Sequence, residues 1–193
     1  MPVTVSQADV HTFLKPSEWE AWLSENHSAS SGVWLRFYKK ASGKISITYD
    51  EALDVALCYG WIDSLVNKFD DESYIQRFSP RKSKSVWSKL NTGHIERLIG
   101  EGKMKPAGLK VVEVAKKDGS WQNAYESPKN AMIPKDFFEE LNKNKKAKAF
   151  FETLNKTNTY AITWRLSTAK TAETRAKRMK QILEMLSKKQ KFH

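Results

Sequence analysis

Every run of strand-forming residues in this chain lies before Pro80, and everything after it has the spacing of helices. Val33-Trp34-Leu35-Arg36-Phe37-Tyr38 is one strand reading, Ile45 to Ile47 a short second, Trp61 to Phe69 a third and Tyr74 to Phe78 a fourth. The last two flank Asp70-Asp71-Glu72-Ser73, a turn-forming cluster, so they are expected to form a hairpin that Pro80 ends, because proline cannot donate to a ladder. Strands and helices that come in separate runs, instead of alternating, argue for α+β. The expected architecture is a small antiparallel sheet covered by helices, followed by an all-helical C-terminal subdomain. Residues 119–134, with Pro128 and Pro134, are the candidate linker, which places the expected domains at 1–130 and 131–193.

Two helix starts carry a capping-box pattern, Ser17 with Glu20 and Thr48 with Glu51. Trp19, Trp22 and Leu23 make an apolar stripe on the first; Leu53, Ala56 and Leu57 make one on the second. Gly60 stands where a helix stop with positive φ is wanted. Further helices are expected from Ser85 to about Asn91, around Ile95, Leu98 and Ile99, from Pro106 to Lys117, around Phe137 and Leu141, from Ala147 to Leu154 and from Tyr160 to Leu166. The last runs from about Thr171 to Leu186.

Charge is spread unevenly. Residues 1–75 hold 6 Lys/Arg against 11 Asp/Glu, residues 76–110 hold 9 against 2, and residues 135–193 hold 15 against 6. An acidic first third followed by two basic blocks suits contact with phosphate-rich or acidic partners, and equally suits a solvated, lysine-rich surface. The single cysteine, Cys58, lies among apolar residues and reads as a core thiol in a reducing compartment. The first ten residues show neither a basic n-region nor an apolar h-region, and no apolar run reaches the roughly 20 residues that span a bilayer. These features predict a cytoplasmic location without membrane insertion.

The densest chemistry lies between Tyr59 and Asn91. Arg81-Lys82-Ser83-Lys84-Ser85 precedes an expected helix start, whose unpaired N–H groups favour anions. The functional reading is a phosphate, sulfate or carboxylate site using Arg81, Ser85 and Ser88; the bland one is a basic loop in which Ser85 caps its helix. Asp63, beside Trp61, is expected to pair with Arg77 or Arg81, and such a neighbour lowers a carboxyl pKa, which disfavours a general base. On the last helix Thr171, Thr174, Arg175 and Arg178 share a stripe, either meeting acids of the first third or adding to the anion site. His11, His27, His94 and His193 have no ligand spacing, so neither a metal nor a cofactor is expected. No P-loop, G-x-G-x-x-G or G-x-S-x-G occurs.

Gly60-Trp61-Ile62-Asp63, Phe78-Ser79-Pro80-Arg81, Ser85-x-Trp87-Ser88-x-x-Asn91, Glu96-Arg97-Leu98-Ile99, Gly102-x-Met104-x-x-Ala107-Gly108 and Thr174-Arg175-x-x-Arg178 together resemble the bacteriocin-protection, or YdeI/OmpD-associated, family. The resemblance implies a bacterial protein whose last third, from about Pro134, is the recurrent associated domain. The family's name records an association with bacteriocin tolerance and an outer-membrane porin, a stress-tolerance setting, so it transfers no catalytic residue.

The leading expectation is a non-enzymatic protein that binds a small anionic or phosphorylated ligand, or an acidic protein partner, through Trp61, Asp63, Arg77, Arg81, Ser85, Trp87, Ser88, Asn91, Arg175 and Arg178. Guanidinium forks suit carboxylate and phosphate. The alternatives are non-specific nucleic-acid binding through the basic helices, and an enzyme using Asp63 or Glu96 as acid or base.

Overall fold

A computed structural model describes residues 10–83 and 85–192. Lys84 of the basic loop, the leading residues read for a secretion signal (apart from Val10) and His193 lie outside the described residues. The chain separates into two compact units: one takes the described residues up to Ser85 together with Gly93–Gly119, the other Val86–Thr92 together with the residues from Ser120 onward.

The first unit holds strands β1 (Val10–His11), β2 (Val33–Tyr38), β3 (Trp61–Lys68) and β4 (Ser73–Pro80) in the order β1-β2-β4-β3. The expected hairpin is β3–β4, pairing Trp61 with Pro80 at its mouth and Lys68 with Tyr74 at its tip. Its turn is built by Asp70, whose Oδ1 accepts from the Glu72 N–H (3.0 Å) and the Ser73 hydroxyl (2.7 Å) while Oδ2 pairs with Arg36. The sheet is mixed, because β1 pairs in parallel with β2. The expected strand at Ile45–Ile47 does not form: Ile45 is 75% exposed, while Ile47 is buried and its N–H donates to the Phe13 carbonyl.

Helices α1 (Pro16–Asn26) and α2 (Tyr49–Cys58) start differently. On α2 the capping box closes, with the Glu51 N–H on Thr48 Oγ1 (3.3 Å) and the Thr48 N–H on Glu51 Oε2 (2.8 Å). On α1 Pro16 occupies the first turn, where its fixed φ suits a helix start, so Ser17 lies inside the helix and the expected box is absent. Glu18 instead accepts from the Leu14 N–H (2.7 Å), and Glu20 turns to Lys105. Trp19, Leu23, Leu35, Phe37, Leu53, Trp61 and Phe78 form the core under the sheet.

Helix α3 (Lys89–Gly100) is one helix where two were expected, preceded by extended residues, and Ser88 rather than Ser85 caps it, accepting from the Asn91 N–H (3.2 Å). Helix α4 (Pro106–Lys117) matches its sequence reading. It reaches the end of α2 at Gly108, where a Cβ would sit 2.2 Å from the Cys58 carbonyl oxygen. Gly60, just past α2, has φ +74°. Glycine is required at the first by space and at the second by backbone conformation.

The second unit is helical beyond its irregular start: α5 (Lys135–Asn142), α6 (Lys145–Phe151), α7 (Lys156–Ser167) and α8 (Ala172–Ser187). Phe137, Leu141, Ala147, Phe151, Ile162, Leu166, Ile182 and Leu186 interlock as its core. Asn144, Asn155 and Thr171 cap α6, α7 and α8, each accepting from the N–H three residues on. No helix among the described residues is long and apolar enough to cross a membrane.

Candidate functional site

Ten residues were nominated from sequence. Trp61, Asp63, Arg77, Arg81 and Ser85 fall in the first unit, and Trp87, Ser88, Asn91, Arg175 and Arg178 in the second. Trp61 is a core ring, 1% exposed, edge-on to Trp19 and Trp22, with its indole N–H on the His27 carbonyl (3.2 Å). Asp63 Oδ2 accepts from Gln76 Nε2 (2.7 Å) and from the Tyr49 hydroxyl (3.1 Å), which ties the start of α2 to the hairpin. Burial, followed by the Asp63 charge, pushes the Tyr49 hydroxyl pKa up, so it stays a donor. Arg77 donates to the Ser31 carbonyl (2.9 Å) on the loop before β2. Arg81 closes the hairpin mouth through its backbone N–H on the Gly60 carbonyl (3.0 Å), and the Ser85 N–H closes a turn on Lys82 (3.0 Å).

In the second unit Trp87 is 3% exposed and packs on Trp121, their centroids 5.1 Å apart. The backbone on either side of Ser88 pairs with Tyr125, so Trp87 to Lys89 are anchored by the segment read as a linker. Ser88 and Asn91 form the α3 cap described above. Arg175 forks onto Asp136, with Nη2 2.7 Å from both carboxylate oxygens, and its Nη1 donates to the Leu166 carbonyl (2.7 Å). Arg178 donates to the Arg165 carbonyl (2.7 Å). Those carbonyls belong to the last turn of α7, whose C=O groups have no partner within their own helix. The T-R-x-x-R stripe is therefore a strut: it caps α7 from α8 and, through Asp136, holds the start of α5. Arg175 pulls the Asp136 carboxyl below its ordinary pKa by hydrogen bonding and charge.

Glu96, the other acid considered for catalysis, is exposed on α3. Cys58 is buried, and desolvation, then the charges of Asp54 and Glu20, push its thiol up to about 11, so at neutral pH it is protonated and a weak nucleophile. Among the described residues no group of three or more His, Cys, Asp or Glu could hold a metal ion.

What the sequence reading missed is a lysine cluster at one end of the second unit. Asn144 Nδ2 donates to Ser187 Oγ (2.8 Å), which brings the start of α6 to the end of α8, 43 residues away in sequence. Lys143, Lys145 and Lys146 arrive from one side and Lys188, Lys189 and Lys191 from the other. Lys143 is paired with Glu140 and Lys188 with Glu184. Lys145, Lys146, Lys189 and Lys191 are exposed, with no acidic partner within 4.0 Å among the described residues. Lys189 has φ +57° and terminates α8, its successor Gln190 donating to the Met185 carbonyl (2.9 Å), a Schellman-type stop usually given to glycine. The basic balance of residues 135–193 was the signal for this cluster; its location needed the fold.

Two family models match the chain. One, described as Domain of unknown function (DUF8412), covers residues 11–111, and the other, described as Bacteriocin-protection, YdeI or OmpD-Associated, covers residues 130–189. The second match agrees with the associated domain implied from Pro134 onward. Most of the motifs that carried the resemblance lie under the first model, and the T-R-x-x-R stripe lies under the second. No curated protein and no solved structure matches the chain.

Proposed function

We propose a function from this premise: the chain belongs to the family described as Domain of unknown function (DUF8412), so its role has to be derived from its own side chains. In this reading the protein is a binding module rather than an enzyme, and its second unit docks an acidic protein partner on the lysine cluster at the α6–α8 end. The observation that carries it is the exposure of Lys145, Lys146, Lys189 and Lys191 without acidic partners, on a frame fixed by the Asn144–Ser187 bond. Clustered ammoniums raise the local concentration of an acidic partner and speed its encounter. The lone buried thiol supports a reducing, cytoplasmic setting. Protection against bacteriocins, named in the description of the second model, is the process in which to seek the partner.

A protein partner is favoured over nucleic acid because a base-stacking platform is missing from the cluster. Its one nearby ring, Phe192, packs on the unit's core and lies under the Arg165 guanidinium at 4.6 Å. The test is fluorescence anisotropy of a labelled glutamate- and phosphoserine-rich peptide, at two salt concentrations, against the full chain and a Lys145→Glu/Lys146→Glu/Lys189→Glu variant. Peptide binding that weakens with salt and falls at least about ten-fold in the variant supports the reading. Equal binding by both proteins overturns it, as does a clear preference of the native chain for duplex DNA over the peptide.

A further inference from the structure

The first unit contains a cleft of about 430 Å³, framed by α1, α2, the end of α3 and the loop that leads to α4. That volume lies within the range of small-molecule sites, roughly 300–1,000 Å³. Its apolar lining comes from Pro16, Val55, Cys58, Tyr59 and Leu98. Around it stand charges of both signs: Glu20, Glu51 and Asp54 from the two helices, Lys103 and Lys105 from the loop.

These groups differ in how much bonding capacity they have left. Asp54 is occupied by His94 Nδ1 (2.8 Å) and Arg97 Nη2 (2.5 Å). Glu51 gives Oε2 to the Thr48 cap, and Glu20 gives Oε1 to Lys105 (2.8 Å), so each keeps one oxygen without a partner among the described residues. Lys103 is held by Glu101 (2.7 Å) and Lys105 by Glu20, one acceptor each for ammoniums with three donors. The lining can therefore take one further cation and one further anion beside an apolar surface. A simple anion would be repelled by Glu20 and Glu51, and a simple cation by Lys103 and Lys105.

We propose that this cleft binds a small zwitterion with an apolar body, an amino acid of leucine or methionine size, its ammonium on Glu20 and Glu51, its carboxylate on Lys103 and Lys105, and its side chain on Val55 and Leu98. This site lies wholly in the first unit and does not depend on the lysine cluster of the second. Isothermal titration of the full chain with leucine, methionine, glycine, leucinamide and isocaproate tests it. Leucine and methionine bind saturably at millimolar concentration or below and raise the melting temperature. Glycine, leucinamide (no carboxylate) and isocaproate (no ammonium) each bind at least about ten-fold more weakly, because each leaves part of the lining unmatched. Lys103→Met weakens leucine but not leucinamide, the non-additivity expected of a direct contact. Val55→Trp fills the cleft and removes binding, with circular dichroism confirming the fold. The proposal is overturned if neither leucine nor methionine binds, if leucinamide equals leucine, or if folded Lys103→Met or Val55→Trp protein binds leucine like the native chain.

Discussion

In the first unit, bases are drawn onto an acidic background. Arg36 pairs with Asp70, Arg97 with Asp54 and Glu101, Lys103 with Glu101 and Lys105 with Glu20. In the second unit the arginines are equally occupied, on Asp136 and on the carbonyls that end α7, but most of the lysines after Pro134 are left in water. A count of positive charge would treat the two alike. Geometry separates guanidinium groups that hold helices together from ammoniums that remain available to a partner, which follows from their chemistry: a planar fork suits fixed carbonyls and carboxylates, a solvated point charge does not.

The largest test of this contrast lies in the first unit. Gly108→Ala drives a methyl group into the Cys58 carbonyl, and helices α2 and α4 must part to admit it; we expect a loss of about 3 kcal/mol or more in denaturant unfolding. A loss under about 1 kcal/mol would mean that this packing is looser than described.

In the second unit Arg175→Met removes a bidentate ion pair and a helix-end bond. The expected loss is about 1–2 kcal/mol, allowing for the half-exposed Asp136. Lys146→Met, by contrast, stays within about 0.5 kcal/mol of the native chain. Equal losses from the two would break the distinction between strut and free charge.

The same strut sets a pH dependence. Arg175 lowers the folded pKa of Asp136, so its contribution is complete above the unfolded value of about 3.9 and is lost as pH falls through the depressed folded value. Asp136→Asn should therefore be less stable than the native chain at neutral pH and converge with it in strong acid; a gap that persists there argues against the pair.

The smallest effect is expected at Lys189, where glycine relieves a left-handed backbone. Lys189→Gly stabilises the unit by up to about 1 kcal/mol, measured as a rise in melting temperature. A fall would mean that the side chain itself contributes to the helix stop.

Much of this fold was legible because it is local. The Thr48–Glu51 box, Gly60, the hairpin turn around Asp70 and helix α4 are each determined within a few residues. The Ser17–Glu20 pattern misled because Pro16 had already set the helix start one residue earlier. Strand β1 has two residues, too few for any periodicity to register. The site was harder to read. An indole that fills a core, such as Trp61 or Trp87, has the same sequence pattern as one that lines a pocket. The partners of Arg175 and the meeting of Asn144 with Ser187 span 39 and 43 residues, distances at which sequence gives charge but not neighbours.

The central claim is that the lysines at the α6–α8 end recognise while the arginines of α8 support. One crossed experiment tests it: melting temperature and acidic-peptide affinity for Lys145→Ser/Lys146→Ser/Lys189→Ser beside Arg175→Met/Arg178→Met. The account predicts that the lysine variant keeps its melting temperature and loses peptide binding, while the arginine variant melts earlier and, below its transition, still binds. Peptide binding retained by the lysine variant and lost by the folded arginine variant would contradict it.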